Sequence, residues 1–245
     1  MQIALLGHGR MGGLLYQLLQ RYWPAATVRV YDSQLPAVST HQSYAAVLDG
    51  ADICLPCVPI SQLLPLYEAL APVLSPETTL IDIASVKMLP LQWAQQALPA
   101  GQPLLMSHPL FGPDGTVGGT QMFGQRIMIE NISAPAVVAT AYEQFWQRMQ
   151  VVVEPMTCEE HDRAIAWSLG LTHYVGRLAE ELQVHLTRVD TPGFRKLCET
   201  FAHVQNDSWQ LFHDMMTYNP YAVEMRQAFQ QAVTRVEYRL QPPTA

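Results

Sequence analysis

The chain has 245 residues, of which 49% are apolar and 14% are charged, and it carries a formal net charge of −7. This composition excludes a disordered chain, and at roughly 150 residues per domain it predicts one large domain or two small ones. The sequence has no basic run and no apolar span of about 20 residues, so we expect no nucleic-acid partner and no membrane partner. It also has no signal-peptide pattern and only four cysteines, so we expect a cytoplasmic protein without disulfides.

Strand-like and helix-like segments alternate over the first 155 residues. The predicted strands are Gln2–Leu6, Thr27–Tyr31, Ala51–Val58, Thr79–Ile83, Pro103–Met106, Arg126–Glu130 and Val151–Glu154. Helical spacing of apolar residues follows the first strand and recurs at Ser61–Ala71, Leu91–Ala97 and Pro135–Met149. This alternation predicts an α/β fold with a doubly wound, mostly parallel sheet and helices on both of its faces.

Long helical patterns replace the strands after the seventh predicted strand. Thr157, followed by Glu160, forms a capping-box pattern that predicts a helix from there to about Leu186. The breaks that separate the later helices are Asp190-Thr191-Pro192-Gly193 and Asn219-Pro220. We therefore predict an α/β domain over residues 1–155, followed by a smaller all-helical domain over residues 156–245.

A glycine run, Gly7-His8-Gly9-Arg10-Met11-Gly12, follows the first strand and opens the first helix. In that context the first glycine permits a tight turn, the second lets the main chain approach a pyrophosphate, and the third lets helix and strand pack closely. The helix N-terminus then faces the phosphates. The run predicts a Rossmann-type dinucleotide-binding domain in which Gly7, Gly9, Arg10, Met11 and Gly12 contact the cofactor.

Asp32 directly follows the second predicted strand, 20 residues after Gly12. An acid at this position can accept hydrogen bonds from the adenosine ribose hydroxyls. Its charge would repel a 2′-phosphate, and residues 33–40 contain no Arg or Lys to attract one. The sequence therefore favours NAD over NADP as the cofactor.

Three further runs, together with the glycine run and Cys57-Val58-Pro59, carry a family resemblance. They are Ile81-Asp82-Ile83-Ala84-Ser85-Val86-Lys87, Ser107-His108-Pro109-Leu110-Phe111-Gly112-Pro113-Asp114, and Glu160-His161-Asp162 leading to Ser168 and His173. In this order they closely resemble the prephenate/arogenate dehydrogenases of tyrosine biosynthesis, and the second run looks most like the enterobacterial type. The resemblance implies NAD-dependent oxidative decarboxylation of prephenate to 4-hydroxyphenylpyruvate, or of arogenate to tyrosine.

The resemblance also implies roles for individual residues. The reaction needs a general base on the ring hydroxyl, and His108 is the candidate because neutral imidazole titrates close to working pH. Ser85 follows another strand, at the edge where open α/β sheets bind ligands, and would orient the hydroxyl. His173 is expected to face the substrate from the helical domain. Val58 and Pro59 are expected to contact the cofactor.

The partner of the substrate's ring carboxylate is an open question. Members of the family use an arginine from the helix after the glycine break, and here Arg195 comes soon after Gly193. The position about two turns into that helix carries Glu199 to His203. Either Arg195 or His203 would therefore bind the carboxylate, or the substrate is a different one. Arginine suits a carboxylate through its bidentate fork. Arg177 and Arg188 are further options for this contact, although we interpret them as solvated helix residues.

The small-molecule substrate is expected to be a cyclohexadienyl carboxylate, and the resemblance implies a homodimer formed through the helical domain. Apolar residues that fit this interface, or alternatively the monomer's own core, are Trp209, Leu211, Phe212, Met215 and Met216. Two other functions stay open. A β-hydroxyacid-type dehydrogenase would use a helix lysine, for which the chain offers only Lys196 after residue 87. A non-catalytic dinucleotide-binding sensor would keep the fold without turnover.

Several other residues are interpreted as structural. Cys54 and Cys57 spell CxxC, but they lie on or just beyond a buried strand and there is no second cysteine pair, so we predict no metal site. Lys87 is expected to brace its loop, and His161 to hold the start of the helical domain. Residues 112–119 are expected to form a mobile lid beside the base or a plain surface loop.

Overall fold

Seven strands form one sheet in the computed structural model, which describes residues 1–116 and 122–241. They are β1 Gln2–Leu6, β2 Thr27–Tyr31, β3 Ile53–Pro56, β4 Thr79–Asp82, β5 Leu104–Pro109, β6 Arg126–Asn131 and β7 Val152–Pro155. All seven predicted strands are present, and the first two have the predicted bounds. The fifth extends beyond its predicted end because β6 pairs with it as far as Pro109.

The strand order, β2-β1-β3-β4-β5-β6-β7, places β1 inside the sheet with β2 on one side and β3 on the other. Neighbouring strands are parallel except for β5 and β6, which are antiparallel. The sheet is therefore mostly parallel, as predicted. The winding changes direction between β1 and β3, and open α/β sheets bind ligands outside the carboxyl ends of the strands at such a point.

Among the described residues, five α-helices accompany the strands. They are α1 Arg10–Tyr22, α2 Tyr44–Leu48, α3 Leu63–Leu70, α4 Met88–Ala97 and α5 Ala136–Arg148. The apolar residues of α1 recur at helical spacing and are buried at Leu14, Leu15, Leu18 and Leu19. They share one core with alternate residues of β1 and with the aromatic side chains of α5. The apolar face of α1 therefore holds this helix against the sheet, directly after the glycine run.

The described residues after β7 are mostly helical. The α-helices are α6 Cys158–Ile165, α7 Leu171–Glu181, α8 Pro192–Asn206, α9 Trp209–Tyr218 and α10 Ala222–Arg239. A π-helical segment, Ala166–Gly170, joins α6 to α7. The chain divides into two compact units, Met1–His161 and Asp162–Ala245, whereas the predicted boundary follows residue 155. No helix of the described residues is long and apolar enough to cross a membrane.

The start of the predicted helix at Thr157 is confirmed. The side chain of Glu160 accepts a hydrogen bond from the Thr157 amide at 2.9 Å, and the Glu160 amide donates to the Thr157 hydroxyl at 3.2 Å, which is a capping box. The end is earlier than predicted. Gln183 adopts a left-handed φ of 53°, and the amide of Val184 donates to the carbonyl of Ala179. This left-handed residue and the hydrogen bond that follows it form a C-terminal cap, so the helix ends before Leu186.

Candidate active site

The glycine run forms a tight turn at the carboxyl end of β1. Gly7 has a φ of +99°, and a Cβ there would lie 2.5 Å from the main-chain oxygen of Cys57. A Cβ at Gly12 would lie 2.2 Å from the main-chain oxygen of Gly7. At Gly9, by contrast, no heavy atom of the described residues, apart from Gly9 itself and its two chain neighbours, comes within 4 Å of such a Cβ. Two glycines are thus required for packing, and the middle one leaves the main chain open to a ligand.

The carboxylate of Asp32 is held by main-chain amides. One oxygen accepts a hydrogen bond from the amide of His8 at 2.6 Å, and the other accepts from Gln34 at 2.8 Å and from Leu35 at 2.9 Å. Burial alone would raise the pKa of Asp32, but these three hydrogen bonds outweigh it and hold the pKa below its usual value. Asp32 is therefore an anion at neutral pH, placed beside the glycine turn.

A cavity of about 590 Å³ opens between the glycine turn, the end of β2 and the start of α3. The predicted cofactor residues that line it are Gly7, Gly9, Asp32, Val58 and Pro59. The other three predicted cofactor residues, Arg10, Met11 and Gly12, lie outside this lining. Tyr44 also lines the cavity, edge to face with Tyr31 at 4.8 Å between ring centres. Sequence reasoning missed this aromatic pair.

Arg10 is engaged by an acidic side chain from beyond β5. Its Nη2 lies 2.6 Å from Oδ2 of Asp114, and both side chains are partly exposed. An exposed pair of this kind contributes about 0–1 kcal/mol to stability, but it links the first residue of α1 to the segment that follows His108. Residues 117–119 of the expected lid or loop lie outside the described residues.

Two buried charges join the ends of β4 and β5. Lys87 and Asp82 are both fully buried, and the Lys87 ammonium donates to the Asp82 carboxylate and, at 2.6 Å, to the carbonyl of Ser107. The hydroxyl of Tyr67 donates to the other Asp82 oxygen at 3.3 Å. Burial, reinforced by the Asp82 charge, raises the pKa of Tyr67 well above its usual value. Lys87 therefore braces its loop, as expected, and does so across two strands.

His108 is buried near the end of β5, with 5% of its surface exposed. Its Nδ1 lies 2.9 Å from Nε2 of His161, and the two rings are nearly perpendicular at 81°. Burial first, and then the neighbouring His161 and Lys87, lower the pKa of His108 well below 6.5. His108 is thus a neutral imidazole at ordinary pH. His161 was interpreted as structural, and only the tertiary fold reveals its contact with His108.

Ser85 lies between β4 and α4 and is partly buried. It precedes the buried Lys87 by two residues. Because β4 and β5 are adjacent parallel strands, Ser85 and His108 come at the same edge of the sheet. The structure thus brings both predicted catalytic residues to the edge where the glycine turn also lies.

The two cysteines of the CxxC pair are free thiols. Burial raises the pKa of both Cys54 and Cys57, which makes neither of them a ready thiolate. Within residues 1–116 and 122–241, no group of three or more His, Cys, Asp or Glu side chains is arranged to hold a metal ion.

In the helical unit, His173 is buried on α7, with its Nε2 3.6 Å from Oδ2 of Asp207. Burial lowers the pKa of His173. The charge of Asp207 acts in the opposite direction and raises the pKa, whereas the charge of Arg177 lowers it further. Its Nδ1 has no hydrogen-bond partner among the described residues. The expectation that Arg177 is solvated is wrong. It is buried, and its guanidinium lies 4.7 Å from the ring centre of Trp209 and donates to the carbonyl of Asp207.

The two candidates for the carboxylate partner, Arg195 and His203, are both exposed on α8. Eight residues of helix separate them by about 12 Å along the axis, so they do not form one group. Helix α8 packs closely on α7, where a Cβ at Gly176 would meet Val204 at 2.7 Å. Among the apolar residues expected at a dimer interface, Met215 and Met216 are buried, whereas Trp209 is half-exposed.

Comparison with known proteins agrees with this architecture. A family model described as "Prephenate dehydrogenase, nucleotide-binding domain" matches residues 26–154, and one described as "TYRAAT1-like, C-terminal domain" matches residues 178–244. Arogenate dehydrogenase 1, chloroplastic, of Arabidopsis thaliana is 27% identical over 98% of this chain and 39% of its own length. Cyclohexadienyl dehydrogenase of Zymomonas mobilis is 26% identical over 71% of this chain and 64% of its own. The chain therefore spans less than two thirds of the length of each of these two relatives.

Solved structures share the fold. Prephenate dehydrogenase from Aquifex aeolicus, in complex with hydroxyphenyl propionate and NAD+, superposes with a TM-score of 0.75 at 18% identity, covering 97% of this chain and 90% of that one. Synechocystis arogenate dehydrogenase superposes with a TM-score of 0.69 at 22% identity, covering 97% and 91% of the two chains. At these identities the likeness establishes the common architecture.

Proposed function

The chain belongs to the prephenate dehydrogenase family, and on that premise we propose that it is an NAD-dependent dehydrogenase acting on prephenate or arogenate. The observation that carries the proposal is the buried, neutral imidazole of His108 at the sheet edge that also holds the glycine turn. The reaction oxidises the ring carbinol, releases the ring carboxylate as CO2 and yields an aromatic ring. Bound NAD would supply the hydride acceptor.

The residues of the cleft fit a dinucleotide. Gly9 leaves the main chain open where a pyrophosphate would approach, and it gives the first amides of α1 no capping side chain. A carboxylate has about four acceptor positions, and three main-chain amides bond to Asp32. Asp32 therefore keeps acceptor capacity for a ribose hydroxyl. The proposed cofactor contacts are Gly7, Gly9, Arg10, Met11, Gly12, Asp32, Val58 and Pro59.

Replacing Asp32 with alanine is expected to weaken NAD binding by about 10- to 100-fold, because a hydrogen bond to a charged group is lost. It should also narrow the preference for NAD over NADP, since the repulsion of a 2′-phosphate disappears. Titration calorimetry with both cofactors measures the ratio. Asp49→Ala removes an exposed acid outside the cavity lining and is the control. An unchanged ratio in Asp32→Ala would remove the ribose assignment.

The chemistry asks His108 to take the proton of the ring hydroxyl. Its Nδ1 faces His161, which leaves Nε2 as the atom that would receive the proton. Ser85 is proposed to orient the hydroxyl from the neighbouring loop. A positioned base of this kind contributes about 10²- to 10⁴-fold to the rate.

The pH profile of kcat/KM tests the state of this base. The pKa of His108 lies well below 6.5, and the base works only when neutral. As the pH falls, kcat/KM should therefore hold its plateau through pH 6.5 and decline only at lower values. An acid limb at or above pH 6.5 would contradict the burial argument. NAD affinity followed over the same range separates loss of the base from loss of the cofactor.

The remaining substrate contacts are proposed from the family resemblance. His173, Arg195 and His203 are the proposed substrate-binding residues of the helical unit. The buried Nδ1 of His173, which has no partner among the described residues, supports a role in binding a polar group. We also propose a homodimer through the helical unit, supported by the half-exposed Trp209.

The test of the function is NADH formation by the purified protein with NAD and either prephenate or arogenate. Turnover with one substrate and not the other assigns both the reaction and its specificity. Binding of NAD without turnover of either would favour the sensor alternative, and turnover of a simple β-hydroxyacid would favour the other dehydrogenase class. The absorbance of NADH reports turnover of each substrate, and calorimetric titration reports the binding of NAD.

A further inference from the structure

A second histidine, His161, lies within hydrogen-bond distance of His108. Nδ1 of His108 and Nε2 of His161 lie 2.9 Å apart, and the two residues are 5% and 1% exposed. A neutral imidazole has one nitrogen that donates and one that accepts. The two rings can therefore share one hydrogen bond in either direction, and the direction decides what the far nitrogen of His108 can do.

Only one of the two directions supports a base. If His161 donated to Nδ1 of His108, then the proton of neutral His108 would sit on Nε2, and that nitrogen could not take another. If His108 donates from Nδ1, then its Nε2 carries a free lone pair. His161 must then present an unprotonated Nε2, with its own proton on Nδ1.

We propose that His161 is a positioning residue that accepts the Nδ1 proton of His108 and so keeps the Nε2 of His108 available as the base. The inference rests on the proposed function, which it deepens. When His108 takes the hydroxyl proton at Nε2, its Nδ1–H continues to donate to His161, and the bond becomes charge-assisted. His161 itself stays neutral throughout, so one proton moves and none is passed on.

The local structure holds His161 in place for this role. The His161 amide donates to the carbonyl of Thr157 at 2.9 Å in the capped first turn of α6. The amide of Cys158, in the same turn, donates to the Glu130 carboxylate at 2.6 Å. Glu130 belongs to β6, the strand that pairs with β5 and thus with His108 itself. The start of α6 is therefore hydrogen-bonded to β6, the strand next to β5, which carries His108.

The charges around the pair favour a neutral acceptor. The buried ammonium of Lys87 donates to the carbonyl of Ser107, the residue before His108, and is paired with Asp82. A second cation on His161 would lie beside the imidazolium that forms on His108 during the reaction, a charge that Lys87 already opposes. Two adjacent buried cations are unfavourable, so an uncharged acceptor suits the position of His161.

Two substitutions separate this role from simple packing. His161→Leu fills the space but offers no acceptor, and we expect kcat to fall by about 10- to 100-fold with little change in NAD affinity. His161→Gln places a carbonyl oxygen near the position of Nε2 and should recover most of the lost kcat. His185→Leu, which changes an exposed histidine of the helical unit, is the control and should leave kcat unchanged.

Nitrogen NMR of protein labelled in histidine reads the tautomer without turnover, and His108→Asn assigns the signals. We expect a protonated Nδ1 on His108 in the wild type and in His161→Gln, and a mixed or reversed tautomer in His161→Leu. An unprotonated Nδ1 in the wild type, wild-type kcat in His161→Leu, or equal losses in both variants would overturn the proposal. If neither substrate turns over, the proposed function fails, while the NMR result still decides the pairing.

Discussion

Replacing His108 with asparagine is expected to lower kcat by about 10²- to 10⁴-fold and to leave NAD affinity nearly unchanged. The asparagine keeps a polar side chain at the buried position but has no nitrogen that can take a proton. The cofactor cavity lies at the ends of β1, β2 and β3, whereas His108 lies on β5, so cofactor binding should survive. Steady-state turnover and calorimetric titration of NAD measure the two quantities separately.

The matched control is His185→Asn, which makes the same chemical change at an exposed position of the other unit. It should retain wild-type turnover. Wild-type turnover in His108→Asn would remove His108 from the role of base. A joint loss of turnover and of NAD binding would instead mean that His108 supports the structure of the sheet edge.

The second large effect is expected on stability. Lys87→Met should lower the free energy of unfolding by about 3–5 kcal/mol, because it leaves the carboxylate of Asp82 buried without its cation. The free energy of unfolding of a typical domain is only about 5–15 kcal/mol, so the variant should be close to unfolding. Urea denaturation, followed by fluorescence and circular dichroism, measures the change.

Two comparisons isolate the cause. The double variant Asp82→Leu/Lys87→Met removes both charges and should recover much of the loss, since a buried pair and an apolar pair are often of similar stability. Arg126→Met breaks an ion pair with Glu154 at the surface and should cost no more than about 1 kcal/mol. Equal losses in Lys87→Met and Arg126→Met would contradict the argument from burial.

The sequence was sufficient where structure is local. The bounds of β1 and β2, the glycine turn between β1 and α1, and the capping box at Thr157 all follow from residues that are close together in the chain. Hydrophobic periodicity and turn chemistry act over a few residues, so they can be read without knowing the fold. The order of these elements then suffices to predict a mostly parallel sheet.

Features that depend on distant partners were not predictable in this way. His108 and His161 meet across 53 residues of sequence, and neither local pattern contains the other. Arg177 is buried because Trp209, on another helix, lies over its guanidinium. The end of β5 depends on its antiparallel neighbour β6. In each case tertiary packing overrides what the local sequence favours.

The hydrogen bonds of Asp32 bear on how cofactor preference could change during evolution or in engineering. The same carboxylate that would meet the ribose also ties the amides of His8, Gln34 and Leu35 together. A shift toward a phosphorylated cofactor therefore requires more than the exchange of one side chain for a basic one. The main-chain amides around the turn would need new acceptors as well, so selectivity in this protein is a property of the loop's own architecture.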